Sequence, residues 1–82
     1  MDRKGIESKV KEFLIEEFEI EESAIHAEAH LKDDLGIESL DFVDIVVIIE
    51  KEFNFKVKRE DMANVRTLND LYNYIEEHIN LP

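Results

Sequence analysis

Residues 33–44 read DDLGIESLDFVD: one hydroxyl, Ser39, among five carboxylates, just before the most apolar run of the chain. Three chemistries suit a serine in that position. A nucleophile needs an activating base and an oxyanion hole. The local string GIESL is not a G-x-S-x-G elbow. His26, His30 and His78 are all distant in sequence, and the neighbouring carboxylates oppose a developing oxyanion. Hydrolysis is therefore a poor fit. A helix N-cap is the commonest role of serine where a helix begins, its oxygen accepting a first-turn amide. The third role is to accept a covalent group: a phosphodiester there lies near free amides and the positive end of the helix dipole. Gly36 keeps the preceding turn slim for an approaching enzyme. Position alone favours the cap.

Other constellations carry less. HAEAH sets His26 and His30 four apart with Glu28 between them, but it is not H-E-x-x-H and no third ligand is evident, so solvated loop residues are expected and no metal. DDLGIESLD fails the EF-hand pattern because its glycine comes too early. Glu16, Glu17, Glu19, Glu21 and Glu22 read as a solvated acidic face, and KVKR at 56–59, the one basic cluster, receives no function.

The totals narrow the class. Eighty-two residues make one domain, 1–82, able to bury about 60% of its unfolded surface. Forty-four per cent of the residues are hydrophobic, and two glycines and a terminal Pro82 leave helices uninterrupted. An all-α bundle is expected. A net charge of −11 disfavours nucleic acid and anionic membranes, and favours partners with basic patches. Without cysteine the chain has neither disulfides nor a thiolate of its own. The N-terminal stretch lacks a signal-peptide apolar region, and the run Ile45–Ile49 is too short to span a bilayer, so a cytoplasmic location is expected.

Periodicity places the elements. Ile6, Val10, Phe13, Leu14 and Phe18 form one face of a helix over Arg3–Phe18, on which Glu7 and Lys11 are spaced as an ion pair. Residues 19–38 lack a sustained period and predict a long ordered connection pinned by Ile20, Ile25, Leu31, Leu35 and Ile37, with a short helical turn opened by Ser23. A second helix runs over Ser39–Phe53, and REDMAN suits one short helix. Thr67 starts the last helix, whose TLND is a capping box and whose buried stripe is Leu68, Leu71, Tyr72, Ile75 and Ile79.

The second helix carries surplus apolar surface. Phe42, Ile45, Val46, Ile49 and Phe53 already make a full core stripe. Leu40, Val43 and Val47 then share an outer face with Asp41 and Asp44. Burying those carboxylates unpaired would be costly. A docking face explains both residue types, the aliphatic ones giving contact energy and the carboxylates steering a basic partner. Reversing Asp41 and Asp44 to lysine is expected to leave the fold nearly intact.

DDLGIESLDFVDIVVIIEKEF resembles the signature of acyl carrier proteins, and the order of the remaining elements extends the resemblance over nearly the whole chain. The resemblance implies an acyl-carrier-type four-helix bundle: three longer helices, a short third one, and a long loop between helices 1 and 2. It implies that a phosphopantetheinyl transferase attaches 4′-phosphopantetheine from coenzyme A to Ser39, and that the arm's thiol carries acyl groups as thioesters. Partners would be acyltransferases, ketosynthases and other basic-patched enzymes of fatty-acid or related lipid and polyketide synthesis. They would read Glu38, Leu40, Asp41, Val43, Asp44 and Val47, and Phe42, Val46 and Ile49 would border the acyl pocket. The chain would be a monomeric carrier without turnover of its own. A peptidyl or D-alanyl carrier is the alternative within the class, and an unmodified acidic interaction module the alternative outside it. Glu38 stands where the family has Asp, and Phe42 where common fatty-acid carriers have a small or polar residue.

Overall fold

The computed structural model describes residues 2–79, the side chain of Ser39 excepted. Four helices follow one another: α1 over Arg3–Phe18, α2 over Ser39–Phe53, α3 over Arg59–Met62 and α4 over Leu68–Ile79. No strand occurs among the described residues, and the single bridge pairs His30 with Thr67. This is the all-α bundle expected from composition, with the short third helix and the long connection, residues 19–38, that the resemblance implies.

Each helix forms where an apolar stripe and a terminal device coincide. In α1, Ile6, Val10, Phe13 and Leu14 are buried, and the Asp2 carboxylate caps the start by accepting the Gly5 amide at 2.8 Å. The end is set by Glu19, whose φ of 55° is left-handed, and the Glu19 and Ile20 amides both close on the Leu14 carbonyl. The Glu7–Lys11 pair does not form. Glu7 instead accepts Arg3 Nε at 3.1 Å, and Lys11 reaches Glu22 at 2.7 Å. A helical i,i+4 pair is worth a few tenths of a kcal/mol, so a competing partner easily displaces it.

Arg3 also joins α1 to α4. Its guanidinium donates to Asn73 at 2.7 Å and Asn69 at 2.8 Å, and lies 5.3 Å from the centre of the Tyr72 ring. The connection is then fastened to the start of α4. First-turn amides of a helix have no partner within it. Here Leu68 N donates to Ala29 O at 3.0 Å, Asn69 N to Ala27 O at 2.9 Å, and Asp70 N to Thr67 Oγ1 at 3.2 Å. In return Leu31 N donates to Arg66 O at 2.9 Å. Leu31 and Ile37 sink into the core, with Ile20, Ile25 and Leu35 packed beside them. The short helical turn is a 3₁₀ turn over Glu22–Ala24, so Ser23 lies inside it and does not open it.

The core also takes Ala29, Met62, Val65 and Tyr74, which the periodic pattern does not single out. Tyr74 is tolerated inside because its hydroxyl donates to Asp61 Oδ2 at 3.0 Å. The expected stripe of α4 is buried, Ile79 only in part.

The Thr67 capping box gives two predictions. Thr67→Ala leaves the Asp70 amide unpartnered and is expected to lower the urea-unfolding free energy by about 1 kcal/mol. The amides of Thr67 and Arg66, each donating to Asp70 Oδ2 at 3.2 Å, hold that carboxyl below the ordinary carboxylate value. A depressed folded-state pKa gives stability that is complete above the unfolded-state value and fades as pH falls through the folded one. The stability gap between the native protein and Asp70→Asn is therefore expected to be full near neutrality and to shrink as pH falls below the ordinary aspartate value of about 4.

Candidate functional site

The start of α2 is shaped by three residues of the preceding string. Gly36 has φ of +70°, and a Cβ built there would meet nothing within 4 Å. The constraint on this position is backbone conformation, not space. Ile37 follows, 2% exposed, with its amide donating to Leu31 O at 2.9 Å, so the turn is pinned to the core. Glu38 has extended backbone (φ −96°, ψ 173°), its carbonyl takes the Phe42 amide at 3.1 Å, and its own amide donates to Asp41 Oδ2 at 3.1 Å.

Glu38, and not Ser39, is therefore the N-cap. Ser39 is the first residue of the helix proper. The N-cap expectation for Ser39 fails because the chain enters the helix one residue earlier, with Asp41 reaching back to the cap amide as the third residue of a capping box does. The first-turn amides that follow the cap lie at the positive end of α2.

Burial fixes the rotation of α2. Ile45 and Ile49 are fully buried and Phe53 nearly so. The opposite side stays open: Leu40 is 80%, Val43 43% and Val47 56% exposed. Asp44 is exposed among them. Asp41 is half-buried and tied to the cap, so of the two carboxylates only Asp44 is free of a structural bond among the described residues. Phe42 and Val46, expected in the core stripe, are only half-buried.

The reason is a groove of about 980 Å³ between α2 and α3. Phe42, Val46, Met62 and Ala63 line it, and Leu40, Val43 and Val47 reach it from the outer face. Ile49, expected beside Phe42 and Val46, lies fully buried and does not line it. Its charged lining comes from three separated segments: His30, Lys32 and Asp33 in the connection, Arg59 in α3, and Arg66 before α4. Sequence reading missed these cations, because no motif links positions 32, 59 and 66. The only local signal was the basic string at 56–59.

His26 and His30 are exposed, as expected of loop residues. His30 is used through its backbone, its amide donating to Asp34 Oδ2 at 2.7 Å. Among the described residues no cluster of His, Asp and Glu is arranged to hold a metal ion, and no helix is long and apolar enough to cross a membrane.

A helix start whose first-turn amides lie at the positive end of the dipole, a left-handed glycine turn before it and a roomy, largely apolar groove beside it fit a phosphodiester arm with an apolar load. Comparison with known proteins agrees. Residues 8–75 match the family described as phosphopantetheine attachment site, which defines the class as a phosphopantetheine-binding carrier domain. The acyl carrier protein of Thermotoga maritima is 43% identical over 77 residues, covering 94% of this chain and 95% of that protein. The acyl carrier protein of Bdellovibrio bacteriovorus is 36% identical over 73 residues, covering 89% and 94%. The chain belongs to the acyl carrier protein family.

The two carboxylates of α2 are predicted to separate. Asp41→Ala removes the acceptor of the cap amide and is expected to cost about 1 kcal/mol in chemical denaturation. Asp44→Lys, on the open face, is expected to cost less than about 0.5 kcal/mol.

Proposed function

We propose that Ser39 is the attachment point of 4′-phosphopantetheine and that the chain presents acyl intermediates to the enzymes of fatty-acid or related lipid synthesis. The observation that carries this reading is the place of Ser39. It opens α2, and the next residue, Leu40, already belongs to the apolar groove. The amides at the head of α2 favour the arm's phosphodiester. When attached, the arm supplies the thiol that the cysteine-free chain lacks and holds the load as a thioester.

The rest of α2 does the presenting. Leu40, Val43 and Val47 give a partner apolar contact, and Asp44 gives it charge to steer by. Glu38 and Asp41 act mainly by fixing where the helix begins, and so where Ser39 stands. Phe42 and Val46 offer the load a surface away from water, while Ile49 supports that wall from the core. The partners this fits are a phosphopantetheinyl transferase and acyl-processing enzymes with basic patches. The chain itself is their substrate and catalyses nothing, and it works in the cytoplasm.

Incubation with coenzyme A and a broad-specificity transferase is expected to raise the intact mass by one phosphopantetheine. Ser39→Ala is expected to show no gain. No gain on the native chain, under conditions that modify a known carrier, would leave an unmodified acidic module as the better account. Gain on Ser39→Ala would refute the site. Asp44→Lys combined with Val47→Ser is expected to keep the fold and slow loading by about tenfold or more, read as the transferase kcat/KM.

A further inference from the structure

Charge is sorted by side around the groove beside α2. No carboxylate of α2 lines it among the described residues: Asp41, Asp44, Glu50 and Glu52 all lie elsewhere on the helix. On α3 the sorting is the reverse. Arg59 lines the groove, whereas Asp61 accepts the Tyr74 hydroxyl and Glu60 is not among the lining residues. Lys32 and Arg66 join Arg59, drawn together by the Leu31 amide on the Arg66 carbonyl at 2.9 Å, and Asp33 is the one carboxylate among the described lining residues. In a chain with 21 acidic and 10 basic residues, that balance is inverted. Lys4, Lys51, Lys56 and Lys58 are exposed as well but do not line the groove, so the three cations are distinguished by where they stand.

The opposite edge is acidic. With about 100° of rotation per residue, Val47 and Leu40 follow Val46 around α2, and Asp44 lies about 160° from Val46, beyond both. The exposed strip of Leu40, Val43 and Val47 therefore runs between a cationic edge, on α3 and the connection, and an anionic edge at Asp44. Lys51, on the same side as Asp44, stands about two turns further along, past the end of the strip. From Leu40 to Val47 the strip is about 10 Å long, or two helical turns. That length matches the i, i+4 and i+7 side chains of one amphipathic helix laid along it.

Resting on the carrier reading above, we propose that this strip docks an amphipathic helix of a partner enzyme that bears charge of both signs, a cation facing Asp44 and carboxylates facing Arg59 and Arg66. The net charge of −11 draws any basic surface toward the chain, but it does not decide how that surface lands. The two edges decide it. A helix with cations on both flanks meets like charge at Arg59 and Arg66, and a two-sign helix turned end for end sets both flanks against like charge. The head of α2 is thereby presented in one direction.

The test uses the full chain without an arm and three helical peptides of one length. Each has leucine at i, i+4 and i+7 and lysine along one flank, and the other flank carries glutamate, glutamine or lysine. Net charge alone ranks the lysine peptide tightest and the glutamate peptide weakest. Contacts at both edges rank the glutamate peptide first. At about 0.15 M salt its dissociation constant is expected to lie about threefold below that of the glutamine peptide. Its NMR footprint is expected on Leu40, Val43 and Val47 together with Arg59 and Arg66. In Arg59→Gln/Arg66→Gln the order is expected to reverse, the glutamine peptide binding tighter than the glutamate one. In Lys4→Gln/Lys56→Gln, which removes as much charge away from the groove, the glutamate preference is expected to persist. All four residues are exposed, so both variants are expected to fold, and the ranking on the native chain stands without them.

Tighter binding of either other peptide to the native chain would overturn the proposal, as would no measurable binding of any of the three. So would a glutamate preference that survives Arg59→Gln/Arg66→Gln, or one lost equally in Lys4→Gln/Lys56→Gln. Each of these outcomes leaves the carrier reading intact, because the arm on Ser39 is read separately by intact mass.

Discussion

The architecture depends on one constraint: α2 has more apolar surface than the core can cover. Ile45, Ile49 and Phe53 are taken by the core, and that fixes the helix's rotation. Leu40, Val43 and Val47 must then face out. Covering them from within would need another long helix, and α3 has only four residues. The short α3 instead leaves a groove, in which Phe42 and Val46 are half-covered. An exposed aliphatic face is a liability in an isolated protein and an asset in one that is handed between enzymes. The acidic surface keeps the exposed face soluble between encounters.

The second requirement is that the head of α2 stand at a fixed point. On the proposed attachment at Ser39, the load cannot be placed reproducibly if that first turn frays. Gly36 in a left-handed conformation, Ile37 in the core and Asp41 on the Glu38 amide together fix the first turn. The connection is in turn held by α4, because the carbonyls of Ala27 and Ala29 satisfy the first amides of that helix. Order in an apparently irregular segment thus comes from backbone groups that each side needs paired. This links positions that are far apart in the chain: the Thr67 cap and the Ser39 turn belong to one hydrogen-bonded unit.

The helices were legible in the sequence, because their signals are local. The apolar period of α1 gave bounds that the structure reproduces, and the TLND box marked the start of α4, with Thr67 just before its first residue, Leu68. The surplus aliphatic positions of α2 were legible too, because their exposure follows from arithmetic on a 3.6-residue period. What was not legible depends on competition and on distance. Ser39 looked like a cap because serine commonly is one, and the chain's entry one residue earlier is decided by Glu38 and Asp41 together. Lys11 chose Glu22 over Glu7 for a reason that lies in the connection's path. Ala29 and Val65 are core only because the connection folds back on α4. The groove's cations are invisible to any window, since Lys32, Arg59 and Arg66 meet only in three dimensions.

The central claim is that this molecule is a scaffold for one serine at the head of one helix. The most direct test is to load the chain from coenzyme A, digest it and locate the added group by fragment-ion mass spectrometry. The account predicts a single modified residue, Ser39, with Ser8, Ser23 and Thr67 untouched. A phosphopantetheine mapped to any of those three, or spread among several, would contradict it.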